Sequence, residues 1–177
     1  MIVVVAGPAG SGKSTLGRQL AKALRLPYLD LDTITNPVLE ALGDSFLGQL
    51  HWNDFRLREI IRPARYRALR ETLAEQVAVG IGAVVVAPFT AELLGGTEWD
   101  ELVESAGSVP VVVWIRASPG LLAQRRAARA ADRDALSIDA SGDALPRVVH
   151  LAVDAALSTA EQVEAVLTDT AFTGRRV

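Results

Sequence analysis

A glycine-rich stretch near the amino terminus constrains the fold of this chain more than any other feature. Residues 7–14 read GPAGSGKS and match the pattern GxxxxGK[ST]. The apolar, β-branched run at residues 2–6 precedes the stretch, and Leu16, Leu20 and Leu24 follow it at helical spacing. A strand, a glycine-rich loop and a helix in this order predict a phosphate-binding loop (P-loop), whose backbone N–H groups and helix amino terminus attract phosphate.

The residues of this loop have separate expected tasks. Backbone N–H groups would surround the phosphate oxygens, and the residues that supply them are Ala9, Gly10, Ser11 and Gly12. Lys13 would reach the β and γ phosphates, Ser14 would offer its hydroxyl to Mg²⁺, and Thr15 would lie near the α phosphate. We therefore expect a nucleoside triphosphate, ATP, together with Mg²⁺.

Further apolar runs recur along the chain and predict more strands. They occupy residues 26–31, 83–87, 109–115 and 148–153, with helical stretches between them. The runs at 83–87 and 109–115 are continuously apolar, which is typical of parallel strands covered by helices on both faces. With 177 residues, the chain is predicted to form a single α/β domain over residues 1–177.

Composition excludes several classes of function. The net charge of −3 and the pI of about 5.4 provide no positive field for nucleic acid. There is no apolar run long enough to cross a bilayer and no export signal, so we expect no membrane association and a cytoplasmic location. The chain has no cysteine, and His51 and His150 are far apart, which argues against disulfides, thiolate nucleophiles and zinc sites.

Two carboxylates close the second predicted strand in the sequence LDLD. Asp30 and Asp32 are two residues apart, so both would face the same side of a strand, at the edge beside the P-loop. We expect Asp30 to join the metal shell and Asp32 to orient a substrate hydroxyl or accept its proton. Alternatively, the pair are solvated turn residues, or an aspartate caps a helix that begins near Thr33.

An arginine-rich helix is predicted after the fourth strand. Ser118 and Pro119 would open it, and Arg125, Arg129 and Arg133 repeat every four residues along one face. One interpretation is a lid over about residues 118–140, with Arg129 or Arg133 on the phosphates and Arg125 near the adenine. The other interpretation is a solvated basic face.

A long helical stretch between the second and third strands, about residues 36–80, is expected to bind the acceptor. Arg58, Arg62 and Arg65 share a helical face there and could hold a carboxylate or phosphate of the substrate, or could be solvated and balanced by nearby glutamates. Trp52 could stack on a compact ligand or anchor this region in the core. Phe89, just beyond the third strand, is predicted to contact the substrate.

The P-loop, the LDLD strand end and the RRAAR segment at residues 125–129 resemble, in this order, the small-molecule P-loop kinases. That group includes gluconate kinase, shikimate kinase and chloramphenicol phosphotransferase. The resemblance implies a three-layer P-loop NTPase fold with a five-stranded parallel sheet in the order 2-3-1-4-5, a helical acceptor-binding insert and a lid. It also implies that ATP and Mg²⁺ serve transfer of a phosphoryl group to a hydroxyl of a small metabolite.

The sequence leaves some alternatives open. Residues 87–90 read APFT where shikimate kinases carry consecutive glycines. A nucleotide-binding sensor or ATPase module without a metabolite acceptor would share the P-loop, and an antibiotic-modifying or toxin-like kinase would share the whole architecture. We expect a monomer or a homodimer.

Overall fold

The computed structural model describes residues 1–47, 54–129 and 145–174. The strands are β1 (Ile2–Ala6), β2 (Tyr28–Asp30), β3 (Ala83–Val86), β4 (Val111–Arg116) and β5 (Leu151–Asp154). The α-helices are α1 (Lys13–Leu24), α2 (Leu31–Leu47), α3 (Arg58–Ala78), α4 (Thr97–Ala106), α5 (Pro119–Arg129), α6 (Thr159–Thr168) and α7 (Thr170–Thr173). Short 3-10 turns occupy Phe55–Leu57 and Glu92–Leu94.

The strands form one parallel sheet in the order β2-β3-β1-β4-β5, as predicted. The central strand β1 places Val4 opposite Val85 of β3 on one side and opposite Val112 of β4 on the other. Because all strands run in one direction, the loops after β1 and β2 leave the sheet at the same edge. The P-loop and the end of β2 therefore meet there.

Helices cover both faces of the sheet, so the strands are apolar on both sides. On one face Val4 packs in a cluster with Leu69 and Leu73 of α3. On the other face Val5 packs with Leu16 of α1 and Val166 of α6. The result is the predicted three-layer α/β architecture.

The four strands after β1 differ from the predicted runs by one to three residues at one or both ends, and hydrogen bonds explain two of these differences. β2 ends at Asp30 because its Oδ1 accepts the backbone N–H groups of Asp32 (2.9 Å) and Thr33 (3.4 Å) and so caps α2. The predicted strand at 148–153 begins later, at Leu151, because the N–H of Val148 donates to Leu93 O (3.3 Å) in the turn after β3.

Both extra regions predicted from the sequence are helical where they are described. The stretch at 36–80 consists mainly of the rest of α2 and of α3, and α2 has a kink at Gly43. The predicted lid begins with α5, in which Ser118 Oγ accepts the N–H of Leu121 (3.3 Å). Residues 130–140 of the predicted lid lie outside the described residues. None of the helices in the described ranges combines the length and apolarity needed to span a bilayer.

Candidate active site

The P-loop is a tight turn that requires glycine. Gly7, Gly10 and Gly12 have φ angles of +147°, +84° and +101°. A Cβ on Gly7 would lie 2.9 Å from Ile115 O, so a larger residue does not fit there. Pro8 O closes the turn by accepting the N–H of Ser11 (3.1 Å) and the ammonium of Lys13 (2.9 Å).

The loop leads into the amino terminus of α1 in a form suited to an anion. α1 begins at Lys13, its first turn has no acidic residue, and no side chain caps it. The positive end of its dipole thus faces the P-loop, where it attracts phosphate. The side-chain oxygen of Ser11 is buried and has no hydrogen-bond partner within the described residues. The residues predicted to bind nucleotide, Ala9 to Thr15, form one continuous turn and helix start.

Asp30 joins the P-loop to the end of β2. Its Oδ2 accepts the Ser14 hydroxyl (2.9 Å) and the Tyr28 hydroxyl (2.5 Å), and Asp30 is only 5% exposed. Burial raises the pKa of Tyr28, and its hydrogen bond to Asp30 raises that pKa further, so the phenol stays a donor. Sequence reasoning missed Tyr28, although it precedes Asp30 by two residues and so shares its face of the strand.

The donor set at this point fits Mg²⁺. The Ser14 hydroxyl and the Asp30 carboxylate are hard oxygen ligands that lie next to each other at the foot of the P-loop. Protein sites for Mg²⁺ use few side chains and complete the shell with phosphate and water. The predicted pairing of Ser14 with Asp30 is thus compatible with the geometry.

Asp32 is placed differently from Asp30. It is the second residue of α2, its side chain is 62% exposed, and its Oδ1 accepts Arg65 Nη2 (2.6 Å). The prediction that both aspartates face the same side of a strand was wrong, because the helix begins between them. The alternative reading, an aspartate that caps the helix, is confirmed for Asp30.

Arg65 holds the beginning of α2. Besides Asp32, its guanidinium donates to Thr35 Oγ1 (2.8 Å) and Asn36 Oδ1 (2.8 Å). Thr35 Oγ1 in turn donates to Leu31 O (2.7 Å). The orientation of Asp32 is therefore fixed from α3.

Arg62 has an internal role that the sequence did not reveal. Its Nη2 donates to both carboxylate oxygens of Glu92 (3.0 and 3.1 Å), and its guanidinium lies 4.4 Å from the ring centroid of Tyr66. Glu92 is 1% exposed; burial raises its pKa, while the charge of Arg62 opposes the rise. Glu92 thus engages Nη2 of Arg62, and the contact of Arg62 with the substrate stays a prediction. Arg58, at the start of α3, is exposed.

Phe89 also departs from its prediction. Its side chain is fully buried and meets the ring of Tyr66 edge-on, with centroids 5.8 Å apart. Its backbone has a φ of +51°, and its N–H donates to the Tyr66 hydroxyl (3.1 Å). The ring of Phe89 thus fills the core beside α3, and the predicted substrate contact does not apply to this side chain.

Arg125 lies at the P-loop, but its guanidinium contacts main chain. Nη1 donates to Ser11 O (2.9 Å) and Nη2 donates to Ala155 O (2.7 Å), just beyond β5. The expectation that Arg125 lies near the adenine stays a prediction. Arg129 is the last residue of α5, and its side chain lies outside what the structure describes, as do Trp52 and Arg133.

Comparison with known proteins identifies similar kinases. Shikimate kinase 2 of Yersinia enterocolitica is 28% identical over 180 residues, covering 93% of this chain and 92% of that protein. The crystal structure of a gluconokinase from Sinorhizobium meliloti is 28% identical with a TM-score of 0.65, covering 93% of this chain and 87% of that one. A putative kinase from Chloroflexus aurantiacus, 22% identical with a TM-score of 0.67 over 92% of this chain and 91% of its own, shares the fold.

The sequence also matches a family as a whole. The family AAA_33, described as an AAA domain, matches residues 2–145, which include the P-loop, both aspartates and α5. The chain therefore belongs to this AAA domain family, and it is a P-loop kinase of small molecules.

Proposed function

We propose that the protein transfers the γ-phosphoryl group of ATP, bound with Mg²⁺, to a hydroxyl group of a small polar metabolite. The observation that carries this proposal is the junction of the P-loop with β2, where the Ser14 hydroxyl lies 2.9 Å from the buried Asp30 carboxylate. Similarity to a shikimate kinase and a gluconokinase supports it. Both acceptors named there are hydroxylated carboxylic acids, so compounds of that class are the first to test.

The residues of the P-loop would bind and orient the nucleotide. Backbone N–H groups of residues 9–15 would donate to phosphate oxygens, except those of Ser11 and Thr15, which donate to Pro8 O and Gly12 O. Lys13, whose ammonium donates to Pro8 O in this structure, would turn it to the β and γ phosphates. Ser14 and Asp30 would hold Mg²⁺, whose charge neutralises the phosphate oxygens when it is bound. Arg129 would add a positive charge to the phosphates when the lid closes.

Asp32 would act on the acceptor. Its exposed carboxylate, held by Arg65, can accept the hydrogen of a substrate hydroxyl and keep that oxygen oriented toward the phosphoryl group. Arg58 is exposed at the start of α3 and could bind an acceptor anion, and Trp52 could stack on the acceptor. The cytoplasmic location and the monomeric or dimeric state stay predictions from the sequence.

A screen for ADP release tests the proposal. The wild-type protein is assayed with Mg·ATP and with sugar acids including D-gluconate, shikimate, polyols, nucleosides and hydroxylated antibiotics, and nucleotide binding is followed by calorimetry. Asp32→Asn should lower acceptor-dependent ADP release by about 100-fold or more while ATP still binds, because general base catalysis contributes about that much. Lys13→Met should abolish turnover with the fold intact, because it removes the positive charge that would neutralise the transferred phosphoryl group.

Glu71→Gln is the matched control. This carboxylate is exposed and pairs with Arg67 on α3, and its substitution should leave turnover unchanged. Full acceptor-dependent activity in Asp32→Asn would exclude its role as base. If nucleotide binds and no acceptor stimulates ADP release, the sensor or ATPase alternative is correct. Full activity in Lys13→Met would contradict the phosphotransfer mechanism.

A further inference from the structure

We infer that Arg125 is a positioning residue for the P-loop: by anchoring the Ser11 carbonyl, it aims the N–H of Gly12 at the phosphate site. The inference rests on the proposed nucleotide-binding function and goes beyond it, because it gives Arg125 a role distinct from contact with the base. Its observational basis is the pair of hydrogen bonds from the guanidinium to Ser11 O (2.9 Å) and Ala155 O (2.7 Å).

The peptide between Ser11 and Gly12 fixes the direction of the Gly12 N–H relative to the Ser11 carbonyl. No cis peptide occurs in the described parts of the chain, and in a trans peptide the C=O and the following N–H point in opposite directions. Because Arg125 holds the Ser11 oxygen on one side of the loop, the Gly12 N–H must point to the other side. Arg125 therefore controls a phosphate donor without touching phosphate.

The peptide between Ser11 and Gly12 also needs an anchor. Gly12 has a φ of +101°, and a glycine can rotate through most of φ/ψ space at small cost. A rotation of the peptide by half a turn would exchange the carbonyl and the N–H and present an oxygen to the anion. The hydrogen bond from Arg125 opposes that rotation, because the Ser11 oxygen would lose a charged donor.

Arg125 is itself fixed. Its second hydrogen bond is to Ala155 O, and Ala155 is fully buried, with its N–H donated to Arg116 O (2.8 Å) at the end of β4. The guanidinium thus spans from the sheet edge to the P-loop. A planar guanidinium can serve two separate carbonyl groups, whereas an ammonium is a point donor that cannot bridge them equally.

The role in the P-loop differs from base contact in a measurable way. Inorganic tripolyphosphate can occupy the P-loop but has no base, so a residue that acts on the base does not affect its affinity. A residue that orients the P-loop affects the affinities for tripolyphosphate and for ATP alike. The probes are therefore sodium tripolyphosphate and Mg·ATP, each titrated by calorimetry into the wild-type protein and its variants.

The test variants are Arg125→Gln and Arg125→Lys, with Arg67→Gln as the matched control. Arg67 is an exposed arginine whose Nε donates to Glu71 on α3, so its loss should leave both affinities unchanged. Arg125→Gln should lower the affinity for both probes by a similar factor of about tenfold or more, since the loss of one charge-assisted hydrogen bond has roughly that effect. Arg125→Lys should lie between the wild type and Arg125→Gln, and it keeps the test valid if Arg125→Gln does not fold.

The affinities of the variants for the two probes distinguish a role of Arg125 in the P-loop from a role at the base. Parallel losses for both probes, with a melting temperature near that of the wild type, support the inference. A loss for Mg·ATP with unchanged tripolyphosphate affinity would show that Arg125 acts on the base and would overturn it, and unchanged affinity for both probes would overturn it as well. If the wild-type protein binds neither probe, the proposed nucleotide site itself is wrong.

Discussion

The carboxylate of Asp30 shows how one short side chain can serve two structural tasks at the site. Its Oδ2 accepts the hydroxyls of Ser14 and Tyr28, while its Oδ1 accepts two N–H groups at the start of α2. An aspartate is short enough to cap a helix from the residue before it. Asp30 therefore fixes the P-loop serine and the helix that presents Asp32 at the same time.

The role of Ser14 in holding Mg²⁺ can be tested by metal removal. In the wild-type protein, ATP should bind more tightly with Mg²⁺ than with a chelator present. Ser14→Ala removes the hydroxyl and should reduce this Mg²⁺-dependent gain in ATP affinity by about tenfold, because the site loses one of its two protein oxygens. Calorimetric titration with ATP, with and without Mg²⁺, measures the gain directly.

Ser11→Ala is the control in the same loop. The Ser11 hydroxyl is buried and unpartnered within the described residues, so its removal should leave the effect of Mg²⁺ unchanged. An equal gain in Ser14→Ala and the wild type would exclude Ser14 as a metal ligand.

At the scale of elements, the predictions succeed where the signal is local. The glycine pattern with its flanking strand and helix is contiguous in sequence, and it predicts β1, the P-loop and α1 correctly. The sequence LDLD fits both a strand and a capped helix start, and the hydrogen bonds of Asp30 decide between them. A reading that assumes a strand through residue 32 therefore misplaces one carboxylate.

The arginines show why the rest of the site was not predictable. Arg62 and Arg65 were correctly placed on one helix, but the partners seen here lie about 30 residues away, Glu92 after β3 and Thr35 on α2. Arg125 meets Ser11 at a separation of 114 residues. Periodicity indicates which face an arginine occupies, whereas the acceptor it meets depends on how distant elements pack.

The packing of α1 on the sheet leads to a prediction at this scale. Gly17 is a buried residue of α1, and a Cβ there would lie 2.5 Å from Val86 Cγ2 and 3.2 Å from Tyr28 Cε2. Gly17→Ala should therefore lower the free energy of unfolding by about 1–3 kcal/mol through overpacking, despite the higher helix propensity of alanine. Urea denaturation of both proteins measures the change.

Gly120→Ala is the matched control. Gly120 also lies in a helix, α5, but no atom lies within 4 Å of the site of its Cβ. Alanine there should raise the free energy of unfolding by about 0.4–1 kcal/mol. If Gly17→Ala stabilises the protein as Gly120→Ala does, α1 does not approach β2 and β3 as closely as the structure shows.

At the scale of the whole molecule, Glu92 lies where several distant segments converge. It receives Arg62 from α3, and the neighbouring Leu93 O accepts N–H groups of Arg147 and Val148 from the segment before β5. A titration of Glu92 should therefore affect global unfolding and not only a local contact. Burial raises the pKa of Glu92 above its usual 4.5, the charge of Arg62 lowers it, and that of Glu98 adds to the rise.

The raised pKa of Glu92 gives a pH dependence of defined sign. Between pH 4.5 and the higher pKa of the folded state, the folded protein keeps a proton that the unfolded chain has released. The contribution of Glu92 to the free energy of unfolding therefore falls as pH rises through this interval and is constant above it. Glu92→Gln cannot titrate, so the stability of the wild type relative to Glu92→Gln should fall over the same interval.

Glu161 provides a control of opposite sign. Its hydrogen bonds with Ser158 lower its pKa below 4.5. Its contribution to the free energy of unfolding is therefore fully present above pH 4.5 and is lost as pH falls through the folded-state pKa. The stability of the wild type relative to Glu161→Gln should thus rise with pH and level off near pH 4.5. Urea denaturation of the three proteins from about pH 3 to pH 8 separates the two effects. A wild-type stability that instead rises relative to Glu92→Gln up to about pH 4.5 and is constant above it would mean that Arg62 outweighs burial and that the folded state favours the charged carboxylate.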